Sequence, residues 1–452
     1  MQFIFLKIID ILNKLEIKYT PDKKGVCFFM NYSYLKSIPQ ALLLLIVSSV
    51  SAQTSPTEIA ENPERSGGIY HSYDYHPVPA VPAPKGYIPF YISHYGRHGS
   101  RYHTSEKAYT RPLEALQKAE EAGKLTPQGR KVLTTVEQLA EDARLRYGDL
   151  SPRGVQEHRG IAERMFAAYP EIFATDSGRI CHIECRSTLV PRCILSMAAF
   201  CERIKELNSS VSITRDASAR DLGYMANYPA IRAAGKEPDR VADSICRALV
   251  RPERLMKMLI TDSECIDDPQ ELMIRLHILA AITQNVNHLN IEAFYDIFTD
   301  EELYTLWECE NMRRYLQMGP SARFGDPFVA DSKPLLRNII ETGQKVIDGK
   351  SNLSASLRFG HDSYIMPLLA LLNVEGTSAR VENLRKLGAF WSVEKVSPMA
   401  ANIQFIFFRN PRTADDVRVR VLFCERDARL PIPGGPYYPW AELKKYCESL
   451  YE

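Results

Sequence analysis

The sequence predicts an α/β protein with a central mixed sheet flanked by helices and a smaller helical cap. Three observations carry this. Strand-like runs recur at Tyr87–Tyr95, Arg179–Cys185, Val211–Thr214, Ser354–Phe359, Ala401–Phe408 and Val417–Cys424. Helix-periodic stretches separate most of them, notably Thr134–Tyr147, Gly154–Tyr169, Arg192–Leu207 and Pro334–Asp348, and such alternation builds a sheet covered by helices. Between about Ala219 and Ser332 strand signals vanish while charge and helical periodicity continue. The expected organisation is a leader over residues 1–52, a sheet-containing core from 53–218 and 333–452, and a helical cap inserted at 219–332.

The leader reads as an export signal. From Met30, Lys36 supplies a basic start, Ala41–Val47 an apolar run, and Val50-Ser51-Ala52 a small-residue cleavage site, the three parts of a secretory signal peptide. The expected location is therefore periplasmic or secreted, with translation beginning at Met30. The apolar run is too short to span a bilayer comfortably. Removing residues 1–52 takes away six lysines and three acids, moving the formal net charge from +1 to −2. So balanced a protein exerts no overall pull on nucleic acid, and any attraction for phosphate must be local. At 45% apolar and 10% aromatic residues the chain buries a large core without extensive disorder. Val78–Pro84 is a short extended lead-in to the first strand.

That strand ends in Tyr95-Gly96-Arg97-His98-Gly99-Ser100-Arg101. Two guanidiniums flank one imidazole, and Gly99 permits close backbone approach. Arginine forks match phosphate oxygens, and an imidazole is a nucleophile toward phosphorus. Next comes Gly148-Asp149-Leu150-Ser151-Pro152-Arg153-Gly154, with His158 following and Tyr169-Pro170 at the end of the helix. Arg186-Ser187-Thr188-Leu189-Val190-Pro191-Arg192 then marks a strand-to-helix turn carrying another arginine. Far downstream, Arg358-Phe359-Gly360-His361-Asp362 joins a strand to the apolar helix Tyr364–Leu372, with Pro367 fitting its first turn. The junction sets His361 and Asp362 at the carboxyl edge of a strand, beside helix N–H groups that suit an anion. The last two strands read as antiparallel across Asn410–Asp415, and Trp440–Leu450 as a closing helix.

Taken together these blocks resemble the histidine acid phosphatases, whose signature is Arg-His-Gly-x-Arg with a distant His-Asp or His-Ala-Glu. The Leu-Ser-Pro-Arg-Gly block is most similar to the multiple inositol polyphosphate phosphatase branch. The resemblance implies a phosphoglycerate-mutase-like core with the cap overhanging the site. It also implies His98 as nucleophile and Asp362 as general acid, with Arg97, Arg101, Arg192 and His361 binding phosphate. It implies no metal or other cofactor, the arginines replacing a Mg²⁺ clamp. The implied partner is a small phosphorylated substrate, inositol hexakisphosphate first. A broad acid or sugar-phosphate phosphatase is the second reading, and a catalytically dead phosphate-binding protein the third. The chain departs from the pattern twice. Tyr102-His103 stands where the family continues to proline, and His361-Asp362 replaces the His-Ala-Glu usual in the inositol branch.

Neither a Walker loop nor a His-Glu-x-x-His motif is present. Other residues have plainer expected roles. His94 is read as structural, His103 as a solvent-facing loop residue, and Arg232, Lys236 and Arg240 as a solvated helix face. Arg186 is read either at the pocket rim or in a strand-end salt bridge. Of ten cysteines, Cys27 precedes the signal, and nine is an odd number. Cys181 and Cys185 are too far apart along one strand to bridge, as are Cys193 and Cys201 along one helix. Cys246–Cys265 and Cys424–Cys447 are plausible pairs. The Cys181-His182-x-x-Cys185 cluster reads as strand alternation rather than a zinc site.

Overall fold

The computed structural model describes residues 19–22, 25–28, 53–77, 81–175, 180–291 and 294–452. The expected signal peptide, Val78–Ala80 of the lead-in and Arg179 lie outside the described residues. Tyr19–Asp22 and Gly25–Phe28 pair as an antiparallel hairpin in a unit of their own. Residues 52–452 form the second unit.

The sheet of this second unit contains β1 (Ile88–Arg97), β2 (His182–Ser187), β3 (Ser212–Ala217), β4 (Ala355–Gly360), β5 (Asn402–Asn410), β6 (Thr413–Phe423), β7 (Arg426–Asp427) and β8 (Tyr437–Pro439). Its order is β8-β6-β5-β1-β4-β2-β3, with β7 paired to β6. β1, β4, β2 and β3 run parallel, whereas β5, β6 and β8 add in antiparallel fashion, so the sheet is mixed. Alternating side chains divide two apolar layers. Tyr91, Tyr95, Phe405 and Phe407 enter one, Ile92, Ile406 and Phe408 the other, as the two-residue period of a pleated strand requires. Because β1 is buried along nearly its whole length, it is the central strand, and its end carries the Arg-His-Gly turn.

Among the described residues the helices of ten residues or more are α1 (Lys107–Glu121), α2 (Pro127–Ala143), α3 (Pro152–Ala168), α4 (Pro191–Leu207), α5 (Glu237–Leu249), α6 (Pro269–Thr283), α7 (Asp300–Met318), α8 (Lys333–Ile347), α9 (Asp362–Leu371) and α10 (Trp440–Tyr451). Their starts follow capping chemistry. Thr126 caps α2 and Ser151 caps α3, each accepting from the third N–H and each followed by proline. α2 therefore begins at Pro127, earlier than the apolar pattern indicated. Pro367 corrects the sequence reading. α9 starts directly at Asp362, so Pro367 lies inside the helix and withholds the N–H that would bond the Ser363 carbonyl.

Between Ala219 and Ser332 the described residues fold as α5, α6, α7 and shorter helical turns, with no strand of the sheet. α6 packs on α1, and α7 on the 3₁₀ segment Pro63–Tyr70. Leu276 and Trp307 join the same apolar cluster as Tyr95 and Phe405. No described helix is long and apolar enough to cross a membrane. The suggested cysteine pairs are not bonded in the structure, where Cys246, Cys265, Cys424 and Cys447 are free thiols, as are Cys185 and Cys201. Cys246 instead meets Cys309 across α5 and α7.

Candidate active site

Three parallel strands end together. Arg97 of β1 is in register with Gly360 of β4, and Phe359 of β4 with Ser187 of β2. The turns that follow carry His98, His361 and Thr188 respectively, so residues hundreds apart in sequence meet at one sheet edge. The Thr188 amide donates to the Phe359 carbonyl and the His98 amide to the Gly360 carbonyl, tying the turns to one another.

The Arg-His-Gly turn is held from below by α3. A Cβ on Gly99 would lie 2.6 Å from Cα and O of Gly154, and one on Gly154 would lie 2.3 Å from the Ser100 oxygen. The glycines of the two motif blocks are therefore packed face to face. Ser151 donates its amide and its hydroxyl to the Ser100 carbonyl, at 2.9 and 3.0 Å. The buried Glu157 carboxylate accepts from Ser100 N and Oγ, both at 2.7 Å, and from Tyr73 N at 2.9 Å. Burial raises its pKa, and these donors oppose the rise. Ser196 of α4 accepts from the Gly99 amide at 3.1 Å.

His98 donates from Nδ1 to its neighbouring Gly99 carbonyl at 2.9 Å, which leaves Nε2 as the nitrogen bearing the lone pair. Burial, then Arg97, Arg192 and Arg101, holds its pKa well below the ordinary histidine value. Fully buried Arg97 anchors Nη1 on the Ile69 and Ser397 carbonyls at 3.0 and 2.7 Å. Its Nη2 lies 3.4 Å from Asp362 Oδ2. Burial lowers the Arg97 pKa to about 10, so the side chain stays charged at neutral pH. Nε and Nη2 of Arg97, with Nε of Arg101 and of Arg192, find no hydrogen-bond acceptor in the protein. Buried donors of this kind are suited to an anion.

The ring of His361 stands 5.8 Å from that of His98. Its Nε2 shares a hydrogen bond with Thr188 Oγ1 at 3.1 Å, and its amide donates to Tyr95 Oη at 3.0 Å. Burial and then Arg192 lower its pKa to about 4. Asp362 opens α9, accepting from the Ser363 amide at 2.8 Å. Burial pushes its carboxyl up, but Arg97, Arg314 and Arg101 outweigh this and hold it at about 2. All six residues singled out in the sequence thus come to one sheet edge.

Arg314 was missed. It projects from α7, bonds Glu310 Oε1 at 2.6 Å and Gln317 Oε1 at 3.0 Å, and belongs to the charge cluster around Asp362. Its i,i+4 pairing with Glu310 reads in sequence as a solvated helix face, so no local signal marks it. Tyr70 was missed too; the Arg101 guanidinium sits over its ring at 5.5 Å. His103 is not the solvent-facing residue expected. Its ring lies between Tyr70 and Tyr109, at 5.6 and 6.4 Å, because aromatic side chains close on both faces. With Tyr70, Arg275, Glu310 and Arg314 it lines a cavity of about 270 Å³. Arg186 bonds Glu184 at 2.6 Å and lies 3.7 Å from Asp221, a strand-end salt bridge. Arg232, Lys236 and Arg240 are exposed. His94 is buried against Phe200 and Phe359.

The model of the histidine phosphatase superfamily (branch 2) matches residues 273–424, the part of the chain that holds His361 and Asp362. No curated protein matches the chain. Among solved structures, the chain is similar to the multiple inositol polyphosphate phosphatase of Bifidobacterium longum in complex with inositol hexasulfate. The TM-score is 0.69 at 18% identity, over 86% of this chain and 98% of that one. The phosphate complex of the same enzyme gives 0.69 at 19%, with the same coverage. The phytase from D. castellii gives 0.64 at 16%, over 91% of this chain and 90% of that one. At these identities the likeness is one of fold.

Proposed function

We propose that the chain is a phosphoric monoester hydrolase of branch 2 of the histidine phosphatase superfamily, exported, which removes phosphate from inositol polyphosphates through a phosphohistidine on His98. One observation carries the proposal: His98, with its lone-pair nitrogen free of Gly99, lies in the field of three arginines, Arg97, Arg101 and Arg192, and each of these keeps a buried donor without a protein acceptor.

In the first step Nε2 attacks phosphorus while the P–O bond to the ester oxygen breaks. Arg97, Arg101, Arg192 and His361 bind the nonbridging oxygens and offset the charge that builds on them. The leaving alkoxide takes the proton of Asp362. In the second step the Asp362 carboxylate accepts a proton from water as its oxygen attacks phosphorus, releasing phosphate and restoring neutral His98. Low imidazole basicity keeps His98 unprotonated, and so nucleophilic, in acid. Asp362 is ionised in the protein alone, so it must acquire its proton on binding. A phosphate dianion brought among the same arginines cancels the field that holds the carboxyl near 2 and raises it.

The inositol hexasulfate and phosphate complexes of the Bifidobacterium enzyme support a multiply anionic substrate. The segment from Met30 to Ala52 supports export. His361-Asp362 in place of His-Ala-Glu favours the second reading, a broad acid phosphatase. Phosphate release from inositol hexakisphosphate and p-nitrophenyl phosphate, with chelator and with His98→Ala alongside, tests these readings. Release from the inositol substrate, lost in the variant, is the expected result. Release from the small ester alone establishes the broad phosphatase, and release from neither refutes turnover.

A further inference from the structure

Cys185 on β2 and Cys201 on α4 are both completely buried, and their sulfurs lie 3.4 Å apart. We propose that Cys185 and Cys201, free thiols in contact in the structure, oxidise to a disulfide that staples β2 to α4 directly behind the phosphate-binding turns. A bond of about 2.05 Å requires the sulfurs to close by roughly 1.4 Å, a movement within the range of small side-chain rotations. Cys193, the other buried thiol of α4, is engaged elsewhere, donating to the Gly360 carbonyl at 3.2 Å and lying 3.7 Å from His361 Nε2.

The elements joined are the ones that hold the site. β2 runs into Ser187 and Thr188, and Thr188 bonds His361. α4 presents Arg192 in its first turn, and Ser196 one turn later accepts from the Gly99 amide. A cross-link between residues 185 and 201 closes a short loop around this region and restrains the unfolded chain.

The oxidant is a disulfide-bearing thiol carrier, either a dithiol–disulfide oxidoreductase or a small-molecule disulfide. One cysteine thiolate attacks a sulfur of the carrier and displaces a thiolate, which takes up the proton given up. The second cysteine thiolate then attacks the mixed disulfide and displaces the second carrier thiol. Two thiols are oxidised and one carrier disulfide is reduced. Burial in the folded protein raises the Cys185 pKa, so exchange belongs to folding, before α4 docks on the sheet.

The test uses the full chain, unfolded, reduced and refolded in reduced and oxidised glutathione, then alkylated and digested with trypsin. The expected product links Ile180–Arg186 to Cys193–Arg203. Each peptide holds two cysteines, so single variants assign the bond. Cys185→Ala or Cys201→Ala abolishes the link, and Cys181→Ala or Cys193→Ala leaves it. Oxidised wild-type protein shows a folded-to-unfolded ratio on the order of a hundredfold above the reduced protein. That comparison needs no variant to fold. Complete alkylation of both peptides after oxidative refolding overturns the proposal, as does a link that survives Cys185→Ala.

Discussion

Replacing Asp362 by Asn separates the carboxylate's structural role from its chemical one. Arg97 is wholly buried, and among the described residues Asp362, 18% exposed, is its only salt-bridge carboxylate. The folded pKa of about 2 against an ordinary 3.8 corresponds to about 2 kcal/mol favouring the ionised form. For a carboxyl depressed on folding, this stability is fully present above the unfolded value and disappears as pH falls through the folded one. The Asn variant is therefore expected to be less stable than wild type by about 2 kcal/mol at pH 6. The gap should shrink to about 1 kcal/mol at pH 3 and close toward pH 2. Urea unfolding at several pH values reads this directly. The chemical role predicts a second asymmetry. Loss of a general acid costs about 10²- to 10⁴-fold when the leaving group is an alkoxide, and far less for p-nitrophenolate, which departs without a proton. A stability gap that does not change between pH 6 and pH 3 refutes the electrostatic assignment. Equal loss of rate on both substrates refutes the acid.

Three further outcomes follow from the geometry. His98→Ala should lose turnover and the acid-labile phosphoryl adduct seen by mass spectrometry after acid-free quenching, with a urea midpoint close to wild type, because the ring it removes is neutral. Gly99→Ala drives a methyl into the Gly154 backbone at 2.6 Å and is expected to cost about 1–3 kcal/mol in urea unfolding, together with a fall in kcat. Inorganic phosphate at a hundred times its Kd should stabilise the wild-type protein by about 2.7 kcal/mol, raising the melting temperature in a scan; Arg192→Gln should reduce the rise.

Sequence reasoning reached what local pattern encodes. β1 and β4 were legible from their apolar runs. The residues at their ends were legible because strand-to-helix turns confine chemistry to a few positions. Arg97, His98, Arg101, Arg192, His361 and Asp362 each stand in such a turn. Arg314 and Tyr70 were not legible, since one lies mid-helix and the other in a 3₁₀ segment, and each acquires meaning only when tertiary packing sets it against the sheet edge. His103 failed for a related reason: it read as a loop residue facing solvent, whereas Tyr70 and Tyr109 close on its ring. Cysteine pairing failed because contact between α5 and α7, or between β2 and α4, has no sequence period.

The arrangement of charge explains how the proposed site combines stability with reactivity. Arg97, Arg101, Arg192 and Arg314 repel one another, and the nearby carboxylates, Asp362 and Glu310, do not balance them. The repulsion is tolerated because fixed neutral acceptors and a buried carboxylate hold the site in place. Glu157 gathers three donors from the Arg-His-Gly turn and Tyr73, and the Ile69 and Ser397 carbonyls hold the Arg97 head. Preorganised donors cost no reorganisation when charge develops on a phosphoryl group. Burial and then the same donors depress the basicity of His98 and His361, so the imidazoles stay neutral while phosphate arrives. On the proposed mechanism, an incoming dianion therefore supplies the counter-charge for the arginines and, by screening them from Asp362, makes the general acid that its own cleavage requires.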